Sequence, residues 1–205
     1  MKKHAILLAL LTLVMISCAQ SQSTTKVGGP CEGCEAVNNY DNKKLTSVDT
    51  IFGFDTMQNK IKISGTVYKN DAKTPAKDVI LYVYHTDQTG RYPKTASSKG
   101  WGKKHGNLRT WLKTDSNGHY AFYTTRPASY PNSTLPQHIH ITIKEPNVNE
   151  YYIEDFYFSD DPNITLNILN RKKPRAGSGV ISLSGNGDMK TANRDIILGL
   201  NIPNY

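Results

Sequence analysis

Apolar and polar residues alternate along most of this chain at a period of two, in short runs broken by turn residues, and no apolar stripe follows the helical period far enough for a regular helix. The clearest run, residues 61–68, puts Ile61, Ile63, Gly65 and Val67 on one face of a strand. Residues 78–85 are rich in β-branched and aromatic side chains and end at an Asp-Gln-Thr-Gly turn. Residues 111–114 and 120–124 flank Asp115-Ser-Asn-Gly118, whose Asn-Gly pair predicts a hairpin. Residues 138–144 alternate cleanly, and further strands are expected over 151–158, 180–183 and 195–200, the last two joined across Gly185-Asn-Gly187. Eight or so short strands at this spacing predict an all-β fold, a single β-sandwich with no internal repeat. Two connections, roughly residues 91–108 and 127–137, are too long for simple turns and are expected to be active-site loops.

At 205 residues with 38% hydrophobic and 20% charged residues, the chain has room for one soluble domain. Its N-terminus changes the domain boundaries. Lys2 and Lys3 precede a short apolar run that ends at Ser17-Cys18, a secretory signal too short to span a bilayer. A small residue followed by cysteine resembles the lipobox of bacterial lipoproteins, with Met15 where leucine is usual. Residues 1–17 are then a cleaved signal, Cys18 carries acyl chains, residues 18–30 form a polar flexible tether, and 31–205 are the folded domain. The plainer alternative is secretion without a lipid. Either way the protein is exported, as a membrane-anchored lipoprotein of the bacterial envelope (periplasm or cell surface) in the first case. In an oxidising compartment, Cys31 and Cys34 of Cys-Glu-Gly-Cys favour a local disulfide over redox chemistry or a metal site.

The net charge is +8, and loss of the signal removes two lysines and no acids. The remaining excess lies in a stretch from Lys94 to Lys113 and in Arg171-Lys-Lys-Pro-Arg175. Either cluster is a solvated loop or attracts an anionic substrate or lipid headgroup. Nucleic acid is excluded as a partner by export and by the lack of a recognition motif.

Tyrosine is in surplus, 12 residues against 5 Phe and 2 Trp. His138 and His140, two apart on a strand, share a face and converge on a common point, although His-x-His alone is as often a surface pair. Tyr130 lies just upstream, and Tyr92 ends another strand-loop segment.

In order along the chain, Gly65-Thr-Val67, the run 85–92, the segment 109–125, Pro127-Ala-Ser-Tyr-Pro131 and Pro136-Gln-His-Ile-His140 resemble the intradiol ring-cleavage dioxygenases of the protocatechuate 3,4-dioxygenase and catechol 1,2-dioxygenase kind. The resemblance runs from about residue 61 to the C-terminus. It implies a non-haem Fe(III) held by Tyr92, Tyr130, His138 and His140. It also implies a catechol and O2 as partners and ring cleavage between the two hydroxyl-bearing carbons to a cis,cis-muconate. The resemblance further implies that Tyr130, released when the catechol binds, takes a substrate proton. Two phenolates neutralise most of a trivalent charge, which independently favours Fe(III). Three residues before the first histidine, where the family carries an arginine, this chain has Leu135, leaving Arg91, Arg109 or Arg126 to supply a cation. The segment 154–158 also departs from the family pattern, which lowers the expected turnover more than the metal binding. Two other readings stand beside the enzyme: an iron-holding but catalytically weak relative, and an exported β-sandwich binding module for glycans or peptides. Neither forbids nor requires an oligomer.

Overall fold

A computed structural model describes residues 26–205; the expected signal, Cys18 and most of the tether lie outside the described residues. Eleven strands form two sheets: β1 (Val48–Thr50), β2 (Lys60–Tyr68), β3 (Ile80–Tyr84), β4 (Arg109–Lys113), β5 (His119–Thr125), β6 (His138–Lys144), β7 (Tyr151–Tyr152), β8 (Phe156–Phe158), β9 (Val180–Ile181), β10 (Met189–Asn193) and β11 (Ile196–Ile197). One sheet runs β1-β5-β2-β10, with β11 also on β2, and the other runs β4-β3-β6-β8-β9, with β7 on β6. The expected all-β sandwich is what the chain forms. Ile61, Ile63 and Val67 of β2 and Phe122 of β5 pack with Leu81 and Val83 of β3, the isoleucines of β6, and Phe156 and Phe158 of β8 in one core. Each such side chain contributes roughly 1.5–3 kcal/mol through burial.

Three expectations about strand pairing are corrected. The segments 111–114 and 120–124 are not a hairpin: β4 pairs with β3 and β5 with β2, in opposite sheets. The Asn117-Gly118 turn exists, with the Asp115 carboxylate accepting from the backbone of Asn117 (2.9 Å) and His119 (3.0 Å). However, Val67 donates to the Gly118 carbonyl (2.8 Å) and Asp78 to that of Thr114 (3.1 Å), so the turn carries the chain over the edge of the sandwich. Local turn chemistry does not choose the partner strand. Residues 180–183 and 195–200 are likewise not paired across the glycine turn. There the chain forms one bridge, Ser184 to Thr191, and continues as β10, parallel to β2. Because only Ala192 of β10 is buried, that strand has no apolar signature. The run 151–158 splits into β7 and β8, both on β6.

A second apolar cluster covers the outer face of the β3 sheet, where Tyr82 and Trp111 are packed beneath Ala36 and Val37. These two come from a 3-10 turn, Cys34–Asn38, pinned by the Trp111 indole donating to the Ala36 carbonyl at 2.9 Å. Cys31 and Cys34 are joined in a disulfide just before it, with Cα atoms 5.7 Å apart. The end of the expected tether is laid on the domain: Gly28 donates to the Pro203 carbonyl (2.7 Å), and Val27 exchanges hydrogen bonds with the Asn149 side chain.

Candidate metal centre

His138 and His140 start β6, whose alternation buries Ile139 and Ile141 in the core and turns both imidazoles the other way. Each ring has its Nδ1 engaged. His138 Nδ1 donates to the Pro136 carbonyl (2.7 Å), and His140 Nδ1 donates to Asp155 Oδ1 (3.2 Å). With Nδ1 protonated in this way, the Nε2 lone pairs face a common point.

The two tyrosines reach that point on loops stitched to one another. After β3 the Asp87 carboxylate accepts from the Thr89 (2.8 Å) and Arg91 (3.1 Å) amides, folding the chain back so that Tyr92 points inward. Thr86 donates through its hydroxyl to the Ala128 carbonyl (2.6 Å), and Ala128 donates to the Asp87 carbonyl (3.1 Å). Gly90 sits against the second loop at φ +74°, and a Cβ there would lie 2.0 Å from the Ser129 carbonyl oxygen. Only glycine lets the two loops approach this closely.

Tyr92, Tyr130, His138 and His140, spread over 48 residues, are thereby brought together. The phenol oxygens of Tyr92 and Tyr130 are 2.5 Å apart; His140 Nε2 is 3.0 Å from the Tyr92 oxygen and 3.1 Å from that of Tyr130, and His138 Nε2 is 3.3 Å from the latter. Donor atoms bound about 2.0–2.2 Å from a shared transition-metal ion lie about 3 Å from one another, so the four fit a single ion. Burial raises the pKa of Tyr92 and of Tyr130, so both phenols stay protonated unless a cation stabilises the phenolates. Burial lowers the pKa of His138, keeping it neutral and ready to ligate. The donor chemistry suits a small, highly charged ion.

Several participants had no sequence signature of their own. Asp155 comes within reach of His140 through the segment between β7 and β8; among the described residues His138, His140 and Asp155 also form the one His/Cys/Asp/Glu cluster of metal-site dimensions. Tyr84, paired with His140 across β3 and β6, stacks on its ring at 4.6 Å. A cavity of about 280 Å³ beside it is lined by His140, Asp155, Tyr84 and Tyr152, and the disulfide segment closes its far side.

Leu135 is 54% exposed. Of the three arginines expected to compensate, Arg126 is engaged by Asp160 (2.8 Å) and Gln137 (2.6 Å), and Arg109 is separated from His140 by Tyr84, the middle residue of a three-strand row. Arg91 lines an open groove of about 630 Å³ with Tyr92, Lys94, Lys103 and Lys104.

A family model described as a dioxygenase matches residues 36–194, which contain all four converging side chains. The beta chain of protocatechuate 3,4-dioxygenase from Burkholderia cepacia is 24% identical over 131 residues, 57% of this chain and 52% of that one, so the match spans about half the length of that relative. Among solved structures, the dioxygenase domain of a carbohydrate-binding fusion protein from Streptomyces sp. SirexAA-E is similar at TM-score 0.54 and 18% identity, over 76% of this chain and 91% of that one. Catechol 1,2-dioxygenase from Acinetobacter radioresistens is similar at TM-score 0.54 and 18% identity, over 84% and 60%. At these identities the structural likeness speaks to the fold. Joined to a family model that covers most of the sandwich, it leads to one assignment: this chain belongs to the intradiol dioxygenase family.

Proposed function

We propose that this chain is an Fe(III)-dependent intradiol dioxygenase that opens the ring of a catechol with O2, giving a cis,cis-muconate-type product. The observation that carries the reading is the convergence of two phenol oxygens and two imidazole nitrogens, each within 3.3 Å of a neighbour in the set. Bound there, ferric iron would act as a Lewis acid on a chelated diol. Tyr92 and Tyr130 supply the two negative charges, and the histidines, oriented by the Pro136 carbonyl and Asp155, complete the neutral half of the set. Tyr130, on a half-exposed loop, would help hold the iron as a phenolate and would take a substrate proton at its oxygen. Tyr84 and Tyr152 wall the cavity against which an aromatic ring lies. Arg91, Lys94, Lys103 and Lys104 favour a catechol that carries an anionic substituent such as a carboxylate. The reading extends to an exported, lipid-anchored enzyme, supported by the Cys31–Cys34 disulfide, a bond that persists in oxidising compartments.

The exposed Leu135 favours one second reading, an iron-holding relative with weak turnover. Oxygen uptake by the iron-loaded protein against a panel of catechols separates the two. Consumption of one O2 per catechol with loss of the aromatic absorbance, fastest for carboxylated catechols, supports the enzyme. Retained iron without uptake supports the weak relative.

A further inference from the structure

The segment from Ile164 to Arg175 belongs neither to the core nor to the four-donor cluster. It contains a one-turn helix, Leu166–Leu169, in which Leu166 is 73% exposed, more than any other large apolar side chain among the described residues, and Leu169 is 42% exposed. Arg171, Lys172, Lys173 and Arg175 follow directly, and no acidic residue occurs between Asp161 and Asp188. The buried Glu154 carboxylate takes up the charge of Arg171, while Lys172 and Lys173 stand exposed. Exposed leucines beside a run of cations are what a lipid surface selects: the apolar side chains enter the acyl boundary and the cations meet headgroup phosphates.

The place where the N-terminal segment joins the domain adjoins this face. Arg175 lies over the Tyr152 ring, 3.7 Å from its centroid, and donates from Nη2 to the Gly28 carbonyl (3.1 Å). The Lys26 carbonyl accepts from the Asn204 side chain (3.3 Å), so the chain is bonded to the domain as far back as the first described residue. Eight residues separate Lys26 from Cys18, the expected acylation point. Fully extended, they reach no more than about 29 Å. A domain of this size is about 40 Å across, so a lipid on Cys18 would bring the face beside Gly28 and Arg175 against the bilayer.

We propose that the face running from Leu166 to Arg175 docks on an anionic phospholipid surface, with Leu166 and Leu169 at the acyl boundary and Lys172 and Lys173 on the phosphates. Docking holds the domain in one orientation at the membrane; that orientation rests on the lipid-anchored reading of Cys18, whereas the match of charge and apolar surface does not.

Hydrogen exchange of the full chain, mixed with phosphatidylcholine vesicles with and without phosphatidylglycerol, tests the docking, and sedimentation of the same mixtures reports the anchor separately. The expected result is that the amides of residues 166–173 exchange about tenfold more slowly with phosphatidylglycerol present, an effect that fades at high salt. The double variant Lys172→Glu, Lys173→Glu should lose that protection while sedimenting with the vesicles as the parent chain does, and Leu166→Ser should weaken it. Both changes are at exposed positions and leave the core intact. A chain that sediments without protection of 166–173 would overturn the docking and leave the anchor standing. Protection and sedimentation only with phosphatidylglycerol would support the docking and overturn the anchor. Equal protection on uncharged vesicles, protection unchanged in the double variant, protection that appears without vesicles as the protein is concentrated, which would mean a second copy covers the face, or neither sedimentation nor protection would each overturn the proposal.

Discussion

Asp155 is the residue whose placement changes the site most. Its carboxylate accepts a hydrogen bond from His140 Nδ1 and so directs Nε2 at the two phenol oxygens. Such outer partners typically account for a factor of about 10–100 in metal affinity. Asp155→Leu is therefore expected to weaken iron retention by about that factor in a chelator competition, and Asp155→Asn, which keeps an acceptor oxygen, by less; equal retention in all three proteins would show that the contact has no such role. The other four residues were legible in the sequence. His138 and His140 declared a shared face through the isoleucines between them, and Tyr92 and Tyr130 stood in segments that resemble a known family. Asp155 was hidden because an acid pair, Glu154-Asp155, before an aromatic run has no periodicity, and its nearness to His140 depends on how β7 and β8 fold back on β6.

Among elements, the decisive contact is between the two tyrosine loops. Gly90→Ala would add a Cβ 2.0 Å from the Ser129 carbonyl at a backbone angle, φ +74°, that L residues avoid at a cost of roughly 1–2 kcal/mol. We expect a lower Tm and a loss of iron retention, because relief of the clash moves Tyr92 away from Tyr130. Gly187→Ala, where a Cβ meets nothing within 4 Å, is the control and should leave both unchanged. An unaltered iron content in Gly90→Ala would show that the loops tolerate separation. Strand positions were legible from alternation, since β2 and β6 follow the predicted residues. Strand partners were not. The Asn117-Gly118 turn encodes a reversal of direction, but whether it closes a hairpin or crosses between sheets is decided by Val67 and Asp78, which lie far away in sequence. A parallel edge strand such as β10, buried only at Ala192, shows no pattern until β2 is there to receive it.

Across the whole molecule, His85 ties the two sheets together. It directly follows β3, is fully buried, and bonds the Thr86 carbonyl through Nδ1 (2.7 Å) and the Thr124 hydroxyl on β5 through Nε2 (2.5 Å). Burial pushes its pKa down to about 4, and burial does the same to His105. The unfolded chain takes up these protons near pH 6.5, whereas the folded chain resists them until about pH 4. Stability is therefore complete above about pH 6.5 and falls as the pH drops through that window, at a slope approaching roughly 1.4 kcal/mol per pH unit for His85. Urea unfolding of the metal-free protein at several pH values should show this loss, and His85→Gln should flatten it; an identical slope in the variant would assign the loss to other groups. The single-sandwich architecture was legible from the chain as a whole, because short alternating runs without a helical stripe leave few other ways to bury a core.

The central claim is that Tyr92, Tyr130, His138 and His140 hold ferric iron, and the visible spectrum of the iron-loaded protein tests it most directly. Phenolate bound to Fe(III) absorbs in the visible by charge transfer. The account predicts a red-brown protein with one iron per chain, a weakened and shifted band in Tyr92→Phe and in Tyr130→Phe, and no retained iron when His138 and His140 are both replaced by alanine. A colourless protein that keeps no iron after reconstitution, or a band untouched by either tyrosine substitution, would contradict it.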